Sequence, residues 1–470
     1  MQTRMMAAVV AMCGTWLMAP AQPVQADELA DLKAHINTME ERHQQEAARH
    51  REEMAQMQAR LAALEADTRA ARRPEAAAAP QALAEQVAAL EEEVTAVREE
   101  QDTVTQQLNE RIDFDLYATM EFENFEGSDS GFDARNVELL ATGRLADRLK
   151  IFTEIEFERT AVTSGGNRSG EVEVEQGWVE YAINEYVHPR AGVILVPFGR
   201  FNLEHFDPIQ ELTDRPIALR RVVPTTWSEA GAGFTGSAFL GEQTGGWLKD
   251  LALTYQMFVV NGVTAVITDT GFRSARGAFG SDNNNNKALV SRVQLSPWPQ
   301  QALGLSSYVG AYDKDSHNIN GLDVDWHAER GPLEFVGEWA WWDLQDGFQT
   351  TSAGATTTTA VPSKMRGGYV ETRYHFWFDW LEHTFLGRGF EDPTFTVVGR
   401  YDAANIADDG DGEGLGLEGP NVEERWTIGL NYRPVETWVL KLEYQNNRTK
   451  TEALERGNAD GFIASVAAAF

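Results

Sequence analysis

The stretch RWTIGLNYRPVETWVLKLEYQ, residues 425–445, alternates apolar and polar side chains on both sides of a tight turn. Successive side chains of a β-strand point to opposite faces, so each half predicts one strand with an apolar face and a polar face. The apolar faces hold Trp426, Ile428, Leu430 and Tyr432 before the turn, and Trp438, Leu440, Leu442 and Tyr444 after it. The polar faces hold charges of both signs, from Arg425, Arg433, Lys441 and Glu443. A dry core does not tolerate such charges unpaired, whereas a water-filled lumen does.

Aromatic residues bracket the apolar faces of this hairpin. Tyr432 and Trp438 flank the turn, and Trp426 and Tyr444 lie about 20 Å further along the two strands. In outer-membrane barrels, two aromatic girdles flank the lipid-facing band in this way. An extracellular β-sandwich with one wet face per sheet predicts the same alternation, so the lengths of the connections decide between the two folds.

Sixteen alternating segments follow Arg111, and their connections are short and long in turn, for example ERGP and then DLQDGFQTTSAGATTTTAVPSK. Tight turns at one end and long loops at the other are typical of outer-membrane barrels. The sequence therefore predicts an all-β domain over 111–470, a transmembrane antiparallel β-barrel of about sixteen strands. The connection 378–393 is too long for its short-turn end and suggests a periplasmic helix. The strands are expected to begin near residues 112, 134, 149, 171, 188, 229, 248, 286, 301, 320, 331, 365, 393, 422, 435 and 460.

The final stretch GFIASVAAAF, residues 461–470, places Phe462, Ala464, Val466, Ala468 and Phe470 on one strand face. In water this apolar stripe would be an unprotected edge strand that promotes aggregation. In a barrel, the last strand pairs with the first and its apolar face meets lipid. Phe470 is then expected at the periplasmic rim, where a terminal aromatic resembles the assembly signal of bacterial outer-membrane barrels. The sequence thus predicts that apolar side chains face lipid outside the barrel and that ionised side chains surround water inside it. Neither set is expected to form a dry interior.

The overall composition excludes several classes of protein. The mean hydropathy is −0.38, and no apolar run after the first two dozen residues is long enough for a transmembrane helix. The net charge of −32 argues against a nucleic-acid partner. The start MQTRMMAAVVAMCGTWLMAPAQPVQA, residues 1–26, has the pattern of a secretory signal peptide. It contains Cys13, the one cysteine of the chain, so we expect no disulfide in the mature protein.

Two helical segments precede the barrel domain. Residues 27–73 carry a coiled-coil pattern with one stutter, and 74–82 form a linker rich in proline and alanine. Residues 83–110 carry a heptad seam that is mostly β-branched, which favours trimers. A single helix lying on the protein's own surface is the alternative reading of that seam. The seam consists of Leu83, Val87, Leu90, Val94, Val97, Gln101, Val104 and Leu108.

Two stretches resemble the phosphate-selective porin O and P family. They are residues 192–236, which run from GVILVPFGR to AGAGFTG, and residues 387–402, GRGFEDPTFTVVGRYD. The resemblance covers about residue 112 to the end. It implies a trimeric channel of sixteen strands in the bacterial outer membrane, with a loop at 198–229 that folds inward and narrows the pore. It also implies that arginines on this loop help to make an anion path. The constriction candidates are Arg200, Glu211, Asp214, Arg215, Arg220 and Arg221.

The composition of the barrel segment does not match that expected of an anion path, because residues 112–470 contain only seven lysines. Its predicted lumen is instead rich in glutamate, and rings of carboxylates favour cations. The sequence therefore predicts passive diffusion of small hydrophilic solutes or ions with a weak cation preference. A phosphate- or anion-selective porin is one alternative, and a tether to the periplasm or peptidoglycan through the coiled coil is another. The candidates for the pore lining are Glu154, Glu156, Glu158, Glu334, Glu338, Arg373, Arg425, Lys441 and Glu443.

Catalysis, metal binding and cofactors find little support in the sequence. Ser228 beside Glu229 has no identifiable histidine partner, so a barrel hydrolase lacks its catalytic constellation. The nine histidines show no metal-ligand spacing, and no metal or cofactor is predicted. The loop DDGDGEGLGLEGP has the acidic spacing of a calcium loop, but Pro420 occupies the position of the essential glutamate. A solvated acidic loop and a calcium loop both remain open.

Overall fold

The structure is a computed structural model. It describes residues 111–159, 170–241, 246–264, 267, 271–276, 287–313, 316–345, 348–350, 358–407, 422–449 and 458–470. The predicted signal peptide, both coiled-coil segments, the linker and the acidic loop lie outside these residues and remain predictions. None of the helices in the described part of the chain is long and apolar enough to cross a bilayer.

Sixteen strands of the described residues form one closed antiparallel barrel, which confirms the predicted fold. The first residue of each barrel strand lies within four positions of its predicted start. Two short strands, β12 (Phe348–Thr350) and β13 (Thr358–Ala360), form a separate hairpin and are not part of the barrel. The barrel strands are β1 (Ile112–Phe125), β2 (Gly131–Ala146), β3 (Leu149–Glu158), β4 (Glu171–Tyr181), β5 (His188–Leu195), β6 (Ser228–Phe239), β7 (Ala252–Val260), β8 (Ala288–Trp298), β9 (Gln301–Ala311), β10 (Asn318–Arg330), β11 (Leu333–Leu344), β14 (Lys364–Phe376), β15 (Thr394–Asn405), β16 (Val422–Val435), β17 (Trp438–Thr449) and β18 (Gly461–Ala469).

The last strand closes the barrel, as the terminal stretch predicts. β18 pairs with β1 from Tyr117 opposite Ala469 to Phe125 opposite Gly461. Beyond β18, Phe470 exchanges two backbone hydrogen bonds with Leu116, at 3.0 and 2.9 Å. The ring of Phe470 is 84% exposed. Pairing with β1 and β17 covers both edges of β18, so its apolar stripe does not offer a template for aggregation.

The two faces of the barrel wall have the reverse polarity of a water-soluble protein. In β17, Leu440 and Leu442 are 40% and 49% exposed, whereas Lys441 and Glu443 beside them are each 1% exposed. The exposed face of a closed barrel is its outside, so the apolar residues face outward and the ionised ones inward. This arrangement confirms the polarity predicted from residues 425–445 and suits a barrel in a lipid bilayer.

One end of the barrel has short connections, in agreement with the predicted alternation of short and long connections. Two-residue turns join β2 to β3, β8 to β9, β10 to β11 and β16 to β17. The helix suggested within 378–393 amounts to one short 3-10 helix, Asp379–Leu381. Gly387 and Gly389 follow it, and glycine is a poor helix former. This connection exposes the aromatic side chains of Phe378, Trp380 and Phe385.

The expectation that the barrel contains no dry interior is wrong. Inward-facing apolar residues of β7–β11 pack against the connection between β5 and β6, at the end of the barrel that carries the long connections. This apolar cluster is centred on Phe198, Trp227, Phe272, Tyr308 and Trp342, all at most 2% exposed. The strand pattern does not reveal it, because alternation shows which residues face inward but not what fills the space beside them.

Candidate functional site

The connection between β5 and β6, residues 196–227, is called the inner segment. It includes the short helix α1 (Ala218–Arg221), and nearly all of its residues are buried or half-buried. Its backbone N–H groups donate to carboxylates on distant strands, since Thr213 bonds to Glu443 of β17 at 3.1 Å. Ile217 bonds to Asp402 of β15 at 2.7 Å. Charge-assisted bonds of this kind are stronger than neutral ones and hold the segment against the inward face of the barrel.

Ion pairs with β16 add to these backbone contacts. Arg425 lies 3.2 Å from Asp214, and Arg433 lies 2.9 Å from Glu211. Burial on its own raises the pKa of Glu211, but Arg433 and then Arg373 outweigh it and lower that pKa below its usual value. Buried charges are tolerated only when they are paired, so these contacts fix the position of the inner segment.

Aromatic packing holds the two ends of the inner segment. The ring centroid of Phe198 lies 4.7 Å from that of Trp342, and Trp227 lies 5.4 Å from Tyr308. Phe272, from the connection after β7, packs on the same Trp342 at 4.8 Å. Aromatic pairs at such distances contribute beyond the apolar area they bury. One side of the interior is therefore filled by a packed apolar core.

A cavity of about 280 Å³ lies beside the inner segment, and it is called the charged cavity. Eight carboxylates and six guanidinium groups line it, so its wall is almost wholly ionic. All of its glutamates come from β1, β3 and β4, whereas four of its arginines come from the connections after β5 and β7. The lining residues are Glu121, Glu123, Arg135, Glu156, Glu158, Arg159, Glu171, Glu173, Glu175, Asp214, Arg215, Arg220, Thr226, Arg273 and Arg276.

The arginines of the two connections crowd one another. Burial, followed by the positive charges of Arg276, Arg215 and Arg220, lowers the pKa of Arg273 to about 10. Backbone carbonyls orient two of these groups, because Arg273 donates to Thr225 O at 3.2 Å and Arg276 donates to Thr226 O. The charged cavity thus has an acidic wall on one side and a basic cluster on the other.

Comparison with known proteins identifies the family. A model of the phosphate-selective porin O and P family matches residues 104–470. The chain belongs to this family. An uncharacterised protein of Aquifex aeolicus (strain VF5) is 24% identical over 356 residues, which are 72% of this chain and 76% of that protein.

Solved porins share the fold. OmpF of Salmonella typhi, in complex with daunomycin, superposes with a TM-score of 0.52 at 11% identity, over 76% of this chain and 97% of that one. The outer-membrane channel DcaP of Acinetobacter baumannii gives a TM-score of 0.47 at 10% identity, over 76% and 97%. At this identity, the likeness to OmpF shows a common fold alone. Family membership makes the protein a channel of the bacterial outer membrane for passive diffusion, and not an enzyme.

The structure divides the constriction candidates of the porin into two groups. Asp214, Arg215 and Arg220 line the charged cavity. The other three are held in ion pairs, Arg200 with Glu204 at 2.7 Å, Glu211 with Arg433 at 2.9 Å, and Arg221 with Glu423 at 3.2 Å.

The lining candidates separate in a similar way. Glu156 and Glu158 line the charged cavity, whereas Glu154 is fully buried beneath it. Three others contact the inner segment: Glu338 accepts from Phe201 N at 2.9 Å, Glu443 accepts from Thr213 N, and Lys441 donates to Asp207 O at 2.8 Å. Arg425 pairs with Asp214, as described above.

Glu334 and Arg373 form a separate network near the short-turn end of the porin. Arg373 lies 2.9 Å from Glu334 and 2.6 Å from Glu371. His327 and His375 also contact Glu334, at 2.9 and 3.2 Å. Neither Glu334 nor Arg373 is among the residues that line the charged cavity.

Sequence reasoning missed part of the charged cavity. The run EVEVE, residues 171–175, carries the same alternation that singled out Glu154, Glu156 and Glu158, so this signal was available. Arg273 and Arg276 gave no signal, because they lie in a long connection without alternation. Tertiary packing carries that connection into the interior, where Phe272 packs on Trp342 and Val263 N donates to the Tyr308 hydroxyl.

Four buried ionisable side chains of the porin meet beside the charged cavity. Glu138, Glu154, Glu175 and His205 place one potential ligand atom each within 4.8 Å of one another. They are called the glutamate–histidine cluster. Burial on its own lowers the pKa of His205, but the neighbouring Glu175 carboxylate outweighs it and raises that pKa to about 9. No spacing in the sequence predicts this group, since its members come from three strands and the inner segment.

Proposed function

We propose that the porin lets small hydrophilic solutes and ions diffuse through a water-filled pore that the inner segment narrows, with a weak preference for cations. The charged cavity carries this proposal, because eight carboxylates face six guanidinium groups in its lining. Carboxylates that line a pore favour cations, and a small excess of them gives a small preference. Asp214, Arg215 and Arg220 of the inner segment contribute to the lining.

The separation of charge within the charged cavity supports passage of polar solutes. The acidic strands and the arginines of the connections create a field across the path rather than along it. Such a field orients dipolar molecules, and the ionic wall replaces part of their hydration. The backbone and ion-pair contacts of the inner segment keep this opening at a constant size.

The arginine cluster favours a second candidate, an anion-selective porin. Arg215, Arg220, Arg273 and Arg276 lie close enough together for their charges to lower the pKa of Arg273. Guanidinium groups recognise phosphate and carboxylate oxygens through paired hydrogen bonds. An anion bound there would relieve their mutual repulsion.

Reversal potentials distinguish the two candidates. The full-length porin is inserted into a planar bilayer across a potassium chloride gradient at neutral pH. A reversal potential of cationic sign with a small permeability ratio supports the first proposal, and one of anionic sign rejects it. Inorganic phosphate is then added, and a concentration-dependent loss of chloride current supports the anion candidate.

Cysteine labelling tests the constriction separately. The native Cys13 lies in the predicted signal peptide, so an introduced cysteine is expected to be the sole thiol of the mature porin. Arg220→Cys places a thiol on the inner segment in the charged cavity, and Leu440→Cys places one on the outer face as a control. A bulky cationic thiol reagent should lower single-channel conductance only at position 220. Unchanged conductance after complete labelling there would show that ions bypass the inner segment.

We also propose that the porin is a homotrimer in which the predicted coiled coil 83–110 contributes to assembly. The β-branched heptad seam and the family membership support this. Deleting residues 27–108 should leave conductance intact and weaken the trimer in crosslinking measurements. If the deletion instead releases the outer membrane from the cell wall without changing the trimer, the tether function is favoured.

A further inference from the structure

The glutamate–histidine cluster joins the barrel wall to the inner segment. Glu138 lies on β2, Glu154 on β3 and Glu175 on β4, while His205 belongs to the inner segment. All four side chains are at most 1% exposed. Three carboxylates and one imidazole meeting in so small a volume form an unusual concentration of negative charge, which burial makes costly unless it is compensated.

The ring of His205 is held in one orientation. Its Nδ1 lies 3.2 Å from the backbone carbonyl oxygen of Asn202, and Phe206 stacks on the ring with a centroid distance of 5.2 Å. A histidine that donates Nδ1–H to a carbonyl presents the lone pair of Nε2 to the opposite side. Metal-binding histidines usually have this arrangement, because the second hydrogen bond fixes the tautomer.

The Nε2 atom of His205 points at the carboxylates. It lies 2.8 Å from Oε2 of Glu175. With Nδ1–H donated to Asn202, a neutral ring would place two lone pairs against each other at this distance. A positive charge between the imidazole and the carboxylates removes this conflict, and either a proton or a metal cation supplies it.

The glutamates retain an unused acceptor. Glu154 accepts one bond from Gln176 through Oε2 at 2.6 Å, and its Oε1 has no hydrogen-bond partner although it is fully buried. Glu138 accepts from Asn136 through Oε1 at 2.8 Å, and the Tyr117 hydroxyl is a second hydrogen-bond partner for it. One proton on His205 therefore still leaves the buried Oε1 of Glu154 without a donor, which a cation shared by all four groups would satisfy.

We propose that the glutamate–histidine cluster binds one divalent first-row transition-metal ion, with Zn²⁺ and Mn²⁺ as the best candidates. Imidazole nitrogen together with carboxylate oxygen suits these ions, whereas Mg²⁺ and Ca²⁺ prefer oxygen ligands alone. Metal–ligand bonds of about 2.0–2.2 Å place tetrahedral ligands roughly 3.4 Å apart. The potential ligand atoms lie within 4.8 Å of one another, so only small side-chain movements are needed to bring them to this spacing.

The site has a route from the pore. Glu175 belongs both to the cluster and to the lining of the charged cavity. An ion that enters the cavity reaches Glu175 first, and the negative charge of the surrounding glutamates concentrates it there. Arg215 lines the same cavity, and its positive charge acts to lower the pKa of His205, so it is the basic neighbour that opposes a cation at the cluster.

Metal binding at this position would clamp the inner segment to the wall. His205 is the one member of the cluster on the inner segment, so a metal bond to it ties residues 196–227 to β2, β3 and β4. A ligand that binds only the folded state stabilises it by an amount that rises with the logarithm of the ligand concentration once that concentration exceeds the Kd. The ion therefore acts as a structural clasp beside the constriction and takes no part in passive diffusion.

Metal counting on the full-length porin tests this proposal. The purified porin is treated with a chelator in detergent, then equilibrated with Zn²⁺ or Mn²⁺, and bound metal is measured per chain. Glu154→Gln keeps the shape of the side chain and removes the negative charge, and His205→Gln removes the imidazole. Glu123→Gln is the matched control, because Glu123 lines the same cavity but lies outside the cluster.

We expect one ion per chain in the wild type and in Glu123→Gln, and at least about tenfold weaker binding in the two cluster variants. The ion should also raise the melting temperature of the wild type but not that of Glu154→Gln. Absence of stoichiometric binding in the folded wild type, or equal binding in Glu154→Gln, overturns the proposal. The count does not involve conduction, so its failure leaves the proposed pore function untouched.

Discussion

Two sectors of the barrel interior are filled by opposite means. Beside β7–β11, Trp227, Trp342 and their neighbours form a packed apolar cluster, as in a water-soluble protein. Beside β1–β4, glutamates and arginines surround the charged cavity. The inner segment contacts both sectors, with its aromatic ends in the first and Arg215 and Arg220 in the second. Apolar packing thus helps to hold the inner segment in the first sector, whereas the second sector retains the space of the charged cavity.

Truncation of Trp342 should have the largest effect on stability. Trp342 contacts Phe198 and Phe272, and its indole N–H has no hydrogen-bond partner, so its contribution is packing alone. Trp342→Ala should lower the free energy of unfolding by about 3–5 kcal/mol, measured by denaturant titration in detergent. Trp341→Ala, on the outer face and 42% exposed, should cost about 1 kcal/mol or less. Equal losses would mean that the apolar cluster does not anchor the inner segment.

Removal of a buried guanidinium group should have the next largest effect. Arg425 pairs with Asp214 at 3.2 Å and donates to Asn447 at 2.8 Å. Arg425→Gln should cost about 1.5–3 kcal/mol and increase current noise, because the inner segment loses a charged contact. Arg448→Gln removes an exposed ion pair with Asp460 and should cost under about 1 kcal/mol. If the current noise in single-channel records is the same for both variants, the buried ion pair does not restrict the motion of the inner segment.

A single charge change in the ionised sector should alter selectivity more than stability. Arg273→Gln removes one cation from the lining of the charged cavity. At about 10 Å in water, one charge changes the energy of a passing ion by about 0.4 kcal/mol, with opposite signs for cations and anions, so the cation-to-anion permeability ratio should change roughly fourfold. We expect a shift toward cations in bilayer recordings at low salt. Arg330→Gln, at the exposed last residue of β10 at the other end of the barrel, is the control and should change nothing.

The smallest expected effect is a pH dependence that comes from Glu211. Its pKa is lowered from 4.5, so its charged form stabilises the fold above that value, and this contribution is lost as the pH falls through the lower folded-state pKa. Glu211→Gln should therefore be less stable than the wild type at pH 7, and the gap should narrow toward pH 3. Urea titrations across this range measure the gap. A gap that is constant with pH would show that the Glu211–Arg433 pair contributes no charge-dependent stability.

Much of the barrel was predictable from local pattern. Period-two alternation placed the strands within four residues of their observed starts, and the terminal stripe ending at Phe470 implied closure with the first strand. These features depend on neighbours one or two positions apart, which a sequence displays directly. The same alternation identified Glu156 and Glu158, and it extends to Glu173 and Glu175 on the next strand.

Alternation decides which side chains face inward, and the sequence therefore determined the barrel, its polarity and its abundance of inward carboxylates. Only the tertiary structure decided which of them line a cavity, anchor the inner segment or meet in the glutamate–histidine cluster. The reason is that partners such as Asp214 and Arg425, or Glu154 and His205, lie far apart in the chain. Their meeting depends on how residues 196–227 pack across the closed sheet, and no repeat along the sequence encodes that packing.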